Sequence, residues 1–312
     1  MIPLSRRQFI GLASVSALLG ISGAGIIASR PLRFSVHIRT DVPWMLEKGN
    51  AVIAGVKRHG HIAYLSDYRK PTDDADISVI HSWGQKQIIQ HTKRLNRRLL
   101  VMEAGFFQPR FEWCSLAWDG LNGLGFVPSS RDSGARFEKY FGHLLKPWRY
   151  DQEGYALLIG QVPWDPAIYG LNMNQWIADM AQQLLARGWS VLYRPHPKHV
   201  ELLRRRGEML SVPAGTTLSS GSLAEDLDGA AACFTYSSNA SVEAVMTGVP
   251  TVTMHEGAIT WPVTSHNIDQ PFYYPDRTLW CHDMAWRHWR ISEISDGGAW
   301  SHMSRALPIY LR

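Results

Sequence analysis

The chain has 312 residues, of which 45% are hydrophobic and 19% are charged, so its composition excludes an intrinsically disordered protein and allows two ordinary domains. The net charge of +5 suits an anionic partner, such as a nucleotide, an acidic glycan, a membrane face or a nucleic acid. The three cysteines are too widely spaced for a disulfide framework, which favours a reducing compartment. The sequence has neither metal-ligand spacing nor a Gly-rich phosphate loop, so we expect no metal and no cofactor.

Residues 1–30 differ in character from the rest of the chain. The segment Ser5-Arg6-Arg7-Gln8-Phe9-Ile10 precedes a weakly hydrophobic run rich in Gly, Ala and Ser. This pattern is similar to a twin-arginine export signal. Two other interpretations stay open: an uncleaved anchor, since about twenty residues can span a bilayer, and an extension with no targeting role. The fold prediction therefore starts at residue 31.

Residues 31–150 alternate between strand and helix patterns and predict a first domain. The predicted strands cover 34–38, 62–65, 76–81 and 99–103, and the predicted helices cover 44–58, 82 or 84 to about 95, and 136–141. Strands separated by helices predict a parallel sheet with right-handed crossovers. We interpret this domain as a Rossmann-like unit that presents the acceptor.

Residues 151–275 repeat the alternation and predict a second Rossmann-like domain, which would bind the nucleotide. The predicted strands cover 156–162, 191–193, 231–236 and 251–254, and the predicted helices cover 174–187, 223–227 and 240–246. The Trp-rich tail, 276–312, is predicted to be helical at 284–294 and to return to the first domain. The fold class is therefore α/β, with two Rossmann-like domains facing a cleft.

A basic, proline-rich turn follows the strand at 191–193. Arg194, His196 and Lys198 lie among Pro195 and Pro197, which end the strand and keep the chain extended. Open α/β sheets bind ligands beyond the carboxyl ends of their strands, so this cationic turn predicts an anion site, with phosphate as the expected ligand. The alternative is a basic surface turn with a helix-capping histidine.

Polar side chains follow two other strands of the second domain. Ser237 and Ser238 stand where a strand passes into a helix, and Glu243 lies one turn further on, in reach of a ribose. Gln161 and Asp165 follow the strand at 156–162. The alternatives are ordinary Ser/Asn capping, a surface glutamate and a plain proline turn.

Three carboxylates are candidates for the catalytic base in the first domain. Glu103 ends a strand beside Phe106, and burial there would raise its pKa. Asp119 lies in a turn-rich segment and Asp41 lies near a helix start, and each has a structural interpretation as a turn or cap residue.

Between residues 99 and 254 the motifs occur in an order that resembles the bacterial capsule polysaccharide β-Kdo transferases. The matching residues are Gly160-Gln161 with Asp165, Arg194-Pro195-His196-Pro197, Ser237-Ser238 with Glu243, and Gly248-Val249-Pro250. The resemblance implies GT-B architecture, a CMP-Kdo donor, and a role for His196 in binding the CMP phosphate. One departure stands out, because Glu103-Ala104-Gly105-Phe106 has Ala where the family has Asp.

These observations together predict a metal-independent glycosyltransferase that moves a sugar, with Kdo as one candidate, from a nucleotide sugar to a glycan or glycolipid during polysaccharide biosynthesis. The expected location is the cytoplasm or the inner-membrane surface, whereas the N-terminal pattern leaves export open. Two alternatives remain: a phage-type transferase that glycosylates modified DNA, which alone would involve a nucleic acid, and an exported glycan-binding protein without catalysis.

Overall fold

The computed structural model describes residues 30–130, 132–150 and 153–307, so the export-like segment at 1–29 lies outside the described residues. The strands within these residues are β1 (Arg33–His37), β2 (Ile62–Ser66), β3 (Ile77–His81), β4 (Arg98–Ala104), β5 (Cys114–Trp118), β6 (Tyr155–Ile159), β7 (Val191–Arg194), β8 (Thr217–Leu218), β9 (Ala230–Thr235), β10 (Thr251–Thr253) and β11 (His288–Trp289). The α-helices of the same residues are α1 (Pro43–Lys57), α2 (Lys86–Arg94), α3 (Ala135–Tyr140), α4 (Met173–Ala186), α5 (Pro197–Arg206), α6 (Leu223–Asp228), α7 (Ala240–Met246), α8 (Thr278–Ala285), α9 (Ile291–Ser295) and α10 (Gly298–Met303). Short 3-10 turns lie at Arg110–Glu112, Asn122–Leu124, Gly142–Leu144, Pro166–Ile168, Trp261–Val263 and Ser304–Ala306.

The first sheet has six strands in the order β11-β5-β4-β3-β1-β2. Its strands β1 to β4 pair in parallel, as the alternation of strands and helices predicts. Strand β5 was not predicted and runs antiparallel to β4, with Glu103 opposite Ser115. The loop at 105–113 is too short for a parallel crossover, which needs about a dozen residues or more. The prediction of a purely parallel sheet is therefore wrong at this edge.

The second sheet has five strands in the order β10-β9-β6-β7-β8, and all its pairings are parallel. The carboxyl ends of β6, β7 and β9 therefore meet at one edge of the sheet. Three of the predicted polar segments follow these ends, namely those that begin at Gln161, Pro195 and Ser237. Helix α5 starts at Pro197, within the basic turn, and was not predicted.

The tail does not form the predicted helix at 284–294. Helix α8 ends at Ala285, and β11 pairs antiparallel with β5, placing His288 opposite Ser115. Beyond α9, the Trp300 ring packs edge-on against Phe34 of β1, with ring centroids 5.0 Å apart. The expected return of the tail to the first half of the chain is confirmed, and the tail contributes both a strand and core side chains there.

An apolar cluster joins the two halves. It combines Phe107 and Phe141 from the first half with Val242 and Met246 from α7, and Met284 of the tail also belongs to it. Burying these side chains together stabilises one arrangement of the two sheets. The carboxyl edge of the second sheet is thereby held near the loop that follows β4.

Gly248 has a packing role in this connection. Its φ is +82°, and a Cβ at this position would lie 1.9 Å from the carbonyl oxygen of Pro147. The linker that joins the halves therefore passes directly over the Gly248 backbone, and the Arg149 amide donates to the Gly248 carbonyl at 2.9 Å. Glycine is required here for close approach and for its left-handed backbone.

Candidate active site

Glu103 lies at the carboxyl end of β4, at the edge of the first sheet that faces the second half. Burial raises the pKa of its carboxyl to about 7, although the Ser82 hydroxyl and the charges of Lys48 and Arg110 lower it. The negative charge of Asp165 raises it further. A carboxyl group with this pKa exchanges a proton readily near neutral pH, as a general base must.

Ser82 lies beside Glu103 and has a strained backbone conformation. Its φ is +66°, a conformation that non-glycine residues seldom adopt, and its amide donates to the Met102 carbonyl at 2.9 Å. Because β3 and β4 pair with His81 opposite Met102, this conformation brings the Ser82 side chain to the Glu103 carboxylate. Motif reasoning did not single out Ser82, since its backbone conformation leaves no sequence pattern.

Asp165 belongs to the second half of the chain, and its charge acts on Glu103 in the first half. It caps the 3-10 turn at Pro166–Ile168, where its Oδ1 accepts a hydrogen bond of 2.8 Å from the Ala167 amide. Its charge raises the pKa of both Glu103 and His196, so it is close enough to act on both. The structure thus places together three of the predicted residues from two different sheets.

His196 caps helix α5, which is the structural interpretation of the basic turn. Its Nδ1 accepts a hydrogen bond of 3.1 Å from the Lys198 amide. Burial and the nearby Lys198 charge lower the pKa of the imidazole, so the ring is neutral at pH 7. A neutral ring that accepts at Nδ1 carries its proton on Nε2 and can donate it to a ligand oxygen. Capping and ligand binding are therefore compatible.

Arg194 forms an ion pair within the second half, so it is not available to Glu103, Asp165 and His196 as an unpaired cation. Its guanidinium donates to the carboxylate of the buried Asp226 at 2.6 Å, and also to Ser219 Oγ and to the Gly221 carbonyl. An ion pair of this depth neutralises the guanidinium within the fold. Lys198 is exposed and has no ion-pair partner among residues 30–130, 132–150 and 153–307, so its ammonium is the cation of the basic turn that can reach an anion.

Gln161 and Ser237 are bound to each other across neighbouring strand ends. The Gln161 Oε1 accepts from the Ser237 amide at 2.8 Å, and the Ser237 hydroxyl donates to the Ala167 carbonyl at 2.6 Å. Both side chains are buried and their hydrogen bonds support the loop that carries Asp165. The Ser238 hydroxyl accepts from the Ala240 amide at 3.2 Å, which is ordinary capping at the start of α7.

Glu243 faces the first half across the cleft. Its Oε1 accepts a hydrogen bond of 3.1 Å from the Gln108 side chain, and its charge raises the pKa of the neighbouring Arg110. The position agrees with the predicted place of Glu243 at the cleft. A ribose would have to share this carboxylate with Gln108.

Arg110 is a cleft residue that motif reasoning missed. Its Nε donates to the Gly105 carbonyl at 2.7 Å, which fixes the guanidinium beside Glu103 and Glu243. Burial lowers its pKa, and its charge also lowers the pKa of His196. The only signal in the sequence is a cation seven positions after Glu103, in a loop whose path no pattern predicts.

Asp119 and Asp41 are not brought to Glu103. Asp119 follows β5, which is antiparallel to β4, so it lies at the opposite edge of the sheet and accepts from the Leu99 amide at 2.8 Å and from Arg98 at 2.5 Å. Asp41 is exposed and pairs with Arg39 at 2.6 Å, and this ion pair lowers the pKa of its carboxyl. Asp119 has the turn role that was weighed for it, whereas Asp41 does not cap α1, whose N-cap is Val42 and has no side-chain cap hydrogen bond.

Within the described residues, no three His, Cys, Asp or Glu side chains converge in a way that could hold a metal ion. A search of the same residues finds no helix with the length and apolar character needed to cross a membrane.

The chain matches no protein-family model and no curated protein. Among solved structures it is similar to the Thermosulfurimonas dismutans KpsC β-Kdo 2,4 transferase, with a TM-score of 0.54 and 13% identity over 82% of this chain and 90% of that one. It is also similar to the KpsC β-Kdo 2,7 transferase of the same organism, with a TM-score of 0.51 and 14% identity over 80% of this chain and 89% of that one. At such identity the likeness shows the fold, and the predicted GT-B architecture is confirmed.

Proposed function

We propose that the chain is a glycosyltransferase that moves a sugar from a nucleotide sugar to a glycan or glycolipid in polysaccharide biosynthesis. The observation that carries the proposal is the meeting of Glu103, whose pKa is raised to about 7, with Asp165, His196 and Arg110 at one cleft between two Rossmann-like halves. A proton acceptor beside donors for an anion suits group transfer from a phosphate ester.

The donor half of the site would hold the phosphate. The His196 Nε2 proton and the ammonium of Lys198 come from the second half, and the free guanidinium nitrogens of Arg110 come from the first. The departing nucleotide gains negative charge as its bond to the sugar breaks, and preorganised donors stabilise that charge more strongly in the transition state than in the bound donor. Arg194 supports this half indirectly, by pairing with Asp226 under the basic turn.

The acceptor half would use Glu103 as the general base. As the acceptor oxygen forms its bond to the sugar, the hydroxyl proton passes to the Glu103 carboxylate, and the electron pair of the broken bond leaves with the nucleotide phosphate. The Ser82 hydroxyl and the Lys48 charge lower the pKa of Glu103, so a sufficient fraction of this carboxyl group is ionised at neutral pH to act as the base. Ala104, where the resembling family has Asp, leaves Glu103 as the carboxylate at this strand end.

Thermal unfolding with CMP, UDP or GDP tests the donor half, because a ligand that binds only the folded state raises its melting temperature. We expect one nucleotide to raise it, and we expect His196→Ala to lose both this shift and the transfer of sugar from the matching donor, CMP-Kdo being the first to test. His143→Ala, an exposed histidine outside the cleft, is the matched control. If His196→Ala keeps full transfer activity, the assignment of the phosphate site is wrong.

A further inference from the structure

Helix α1, at the edge of the cleft, has an exposed aromatic side chain and a buried charged one, which is the reverse of the usual pattern. Trp44 is 48% exposed, whereas Lys48, one turn later on the same face, is only 9% exposed. A lysine this deeply buried ordinarily has a paired partner. Among residues 30–130, 132–150 and 153–307, no carboxylate lies within ion-pair distance of the Lys48 ammonium and no acceptor forms a hydrogen bond with it. Its nitrogen is not one of the fully buried unpartnered atoms of these residues, so the stem is buried while the ammonium keeps contact with solvent and can reach a ligand.

The exposed indole of Trp44 is held in place by its neighbours. The Lys48 ammonium lies 5.3 Å from the centroid of the indole, and the His81 ring lies 5.0 Å away at an interplanar angle of 70°. Because α1 begins at Pro43, shortly after β1, the ring stands at the same sheet edge as Glu103. An exposed aromatic ring that is already ordered loses little freedom when a ligand stacks on it.

His81 adds a second unpaired polar atom beside this ring. Its Nε2 is buried and has no hydrogen-bond partner within the described residues. Burial and the charge of Lys48 lower the pKa of His81 to about 4, so the imidazole is neutral.

We propose that Trp44, Lys48 and His81 form the acceptor subsite and that it takes an uncharged sugar ring with neighbouring hydroxyl groups, an inference that rests on the proposed function. One hydroxyl oxygen accepts from Lys48 and the C–H face of the ring stacks on Trp44, while the buried His81 ring holds the indole in place through its edge-on contact. The charges that face the subsite balance, since the cations Lys48 and Arg110 stand against the carboxylates Glu103 and Asp165, so the subsite has no net attraction for an acidic group. The subsite leaves a further hydroxyl of the same ring near Glu103.

The test uses the full chain labelled with 5-fluorotryptophan, with Trp44→Phe identifying the Trp44 fluorine signal. The probes are methyl α-glucopyranoside, methyl α-galactopyranoside and methyl α-mannopyranoside, with sodium phosphate and sodium acetate as anions. We expect at least one glycoside, and neither anion, to shift the Trp44 signal. Lys48→Met, which keeps the Trp44 signal, should weaken that binding about three- to tenfold, the loss of one polar contact.

The signal of Trp189, which precedes β7 at the amino-terminal edge of the second sheet, is the control and should stay unchanged. A Trp44 signal that no glycoside moves, or that moves only with phosphate or acetate, would overturn the proposal. The nucleotide-induced rise in melting temperature separates the two claims, since it depends on His196 and not on Trp44. If the nucleotide shift is present while Trp44 stays silent, only the acceptor subsite is wrong; if the nucleotide shift is absent, the proposed function fails.

Discussion

Replacing Glu103 by glutamine is expected to stabilise the protein above neutral pH while abolishing the proposed transfer. The pKa of this carboxyl rises from an ordinary value of 4.5 to about 7 on folding, so the folded state binds the proton more tightly than the unfolded state. The stability that protonated Glu103 provides is complete below pH 4.5 and is lost as the pH rises through 7. At about 1.4 kcal/mol per pKa unit, ionised Glu103 costs the folded protein about 3 kcal/mol at pH 8.

Urea unfolding of the wild type and of Glu103→Gln at pH 5 and pH 8 measures this difference. Glutamine keeps the shape and a hydrogen-bonding oxygen for Ser82 but carries no charge, so we expect a gain of about 3 kcal/mol at pH 8 and less than about 1 kcal/mol at pH 5. Glu47→Gln, an exposed carboxylate on α1, is the matched control and should change stability by less than about 0.5 kcal/mol at either pH. An equal effect of Glu103→Gln at both pH values would refute a raised pKa at this site.

Two further replacements test the supports of the site. Asp226→Ala should destabilise the protein by about 3–5 kcal/mol in urea unfolding, because it leaves the Arg194 guanidinium buried without its carboxylate, whereas Arg194→Met with Asp226→Leu should recover most of this loss. An Asp226→Ala variant as stable as the wild type would show that the pair is not buried in solution. His288→Leu should destabilise by about 2–4 kcal/mol and lower transfer, because His288 Nε2 accepts the amides of Phe106 at 2.7 Å and Phe107 at 3.1 Å, at the start of the loop that carries Arg110. Unchanged hydrogen exchange at these two amides in the variant would contradict that role.

The donor half of the site could be predicted because its residues directly follow strands. Gln161, His196 and Ser237 come after apolar runs that only a buried parallel strand explains, and parallel strands gather their carboxyl ends at one edge. The position of a residue after a strand does not predict the direction in which its side chain points. Arg194 differs from His196 by two positions, yet its partner Asp226 lies 32 residues away, and nothing local indicates that pairing.

The acceptor half was harder to predict because its neighbours come from distant segments. Lys48 lies in a helix, where a lysine usually indicates an exposed face, and only the tertiary packing buries it. The tail was misread for a similar reason, since Trp286 and Trp289 have an apolar pattern that fits a helix as well as a strand against β5. Sequence periodicity identifies which residues are buried but not which distant surface covers them.

The charges around Glu103 connect the two halves of the proposed reaction. Burial raises its pKa most and Asp165 raises it further, whereas Lys48 and Arg110 lower it, so the pKa of the carboxyl lies at about 7 before any substrate binds. As the sugar leaves the nucleotide, negative charge develops on the phosphate that Arg110 and His196 would hold, and this charge repels the negative charge of ionised Glu103. The proton affinity of Glu103 therefore rises as the acceptor hydroxyl must lose its proton. The base Glu103 and the leaving-group site share the Arg110 guanidinium. Proton transfer to Glu103 and departure of the nucleotide therefore favour each other.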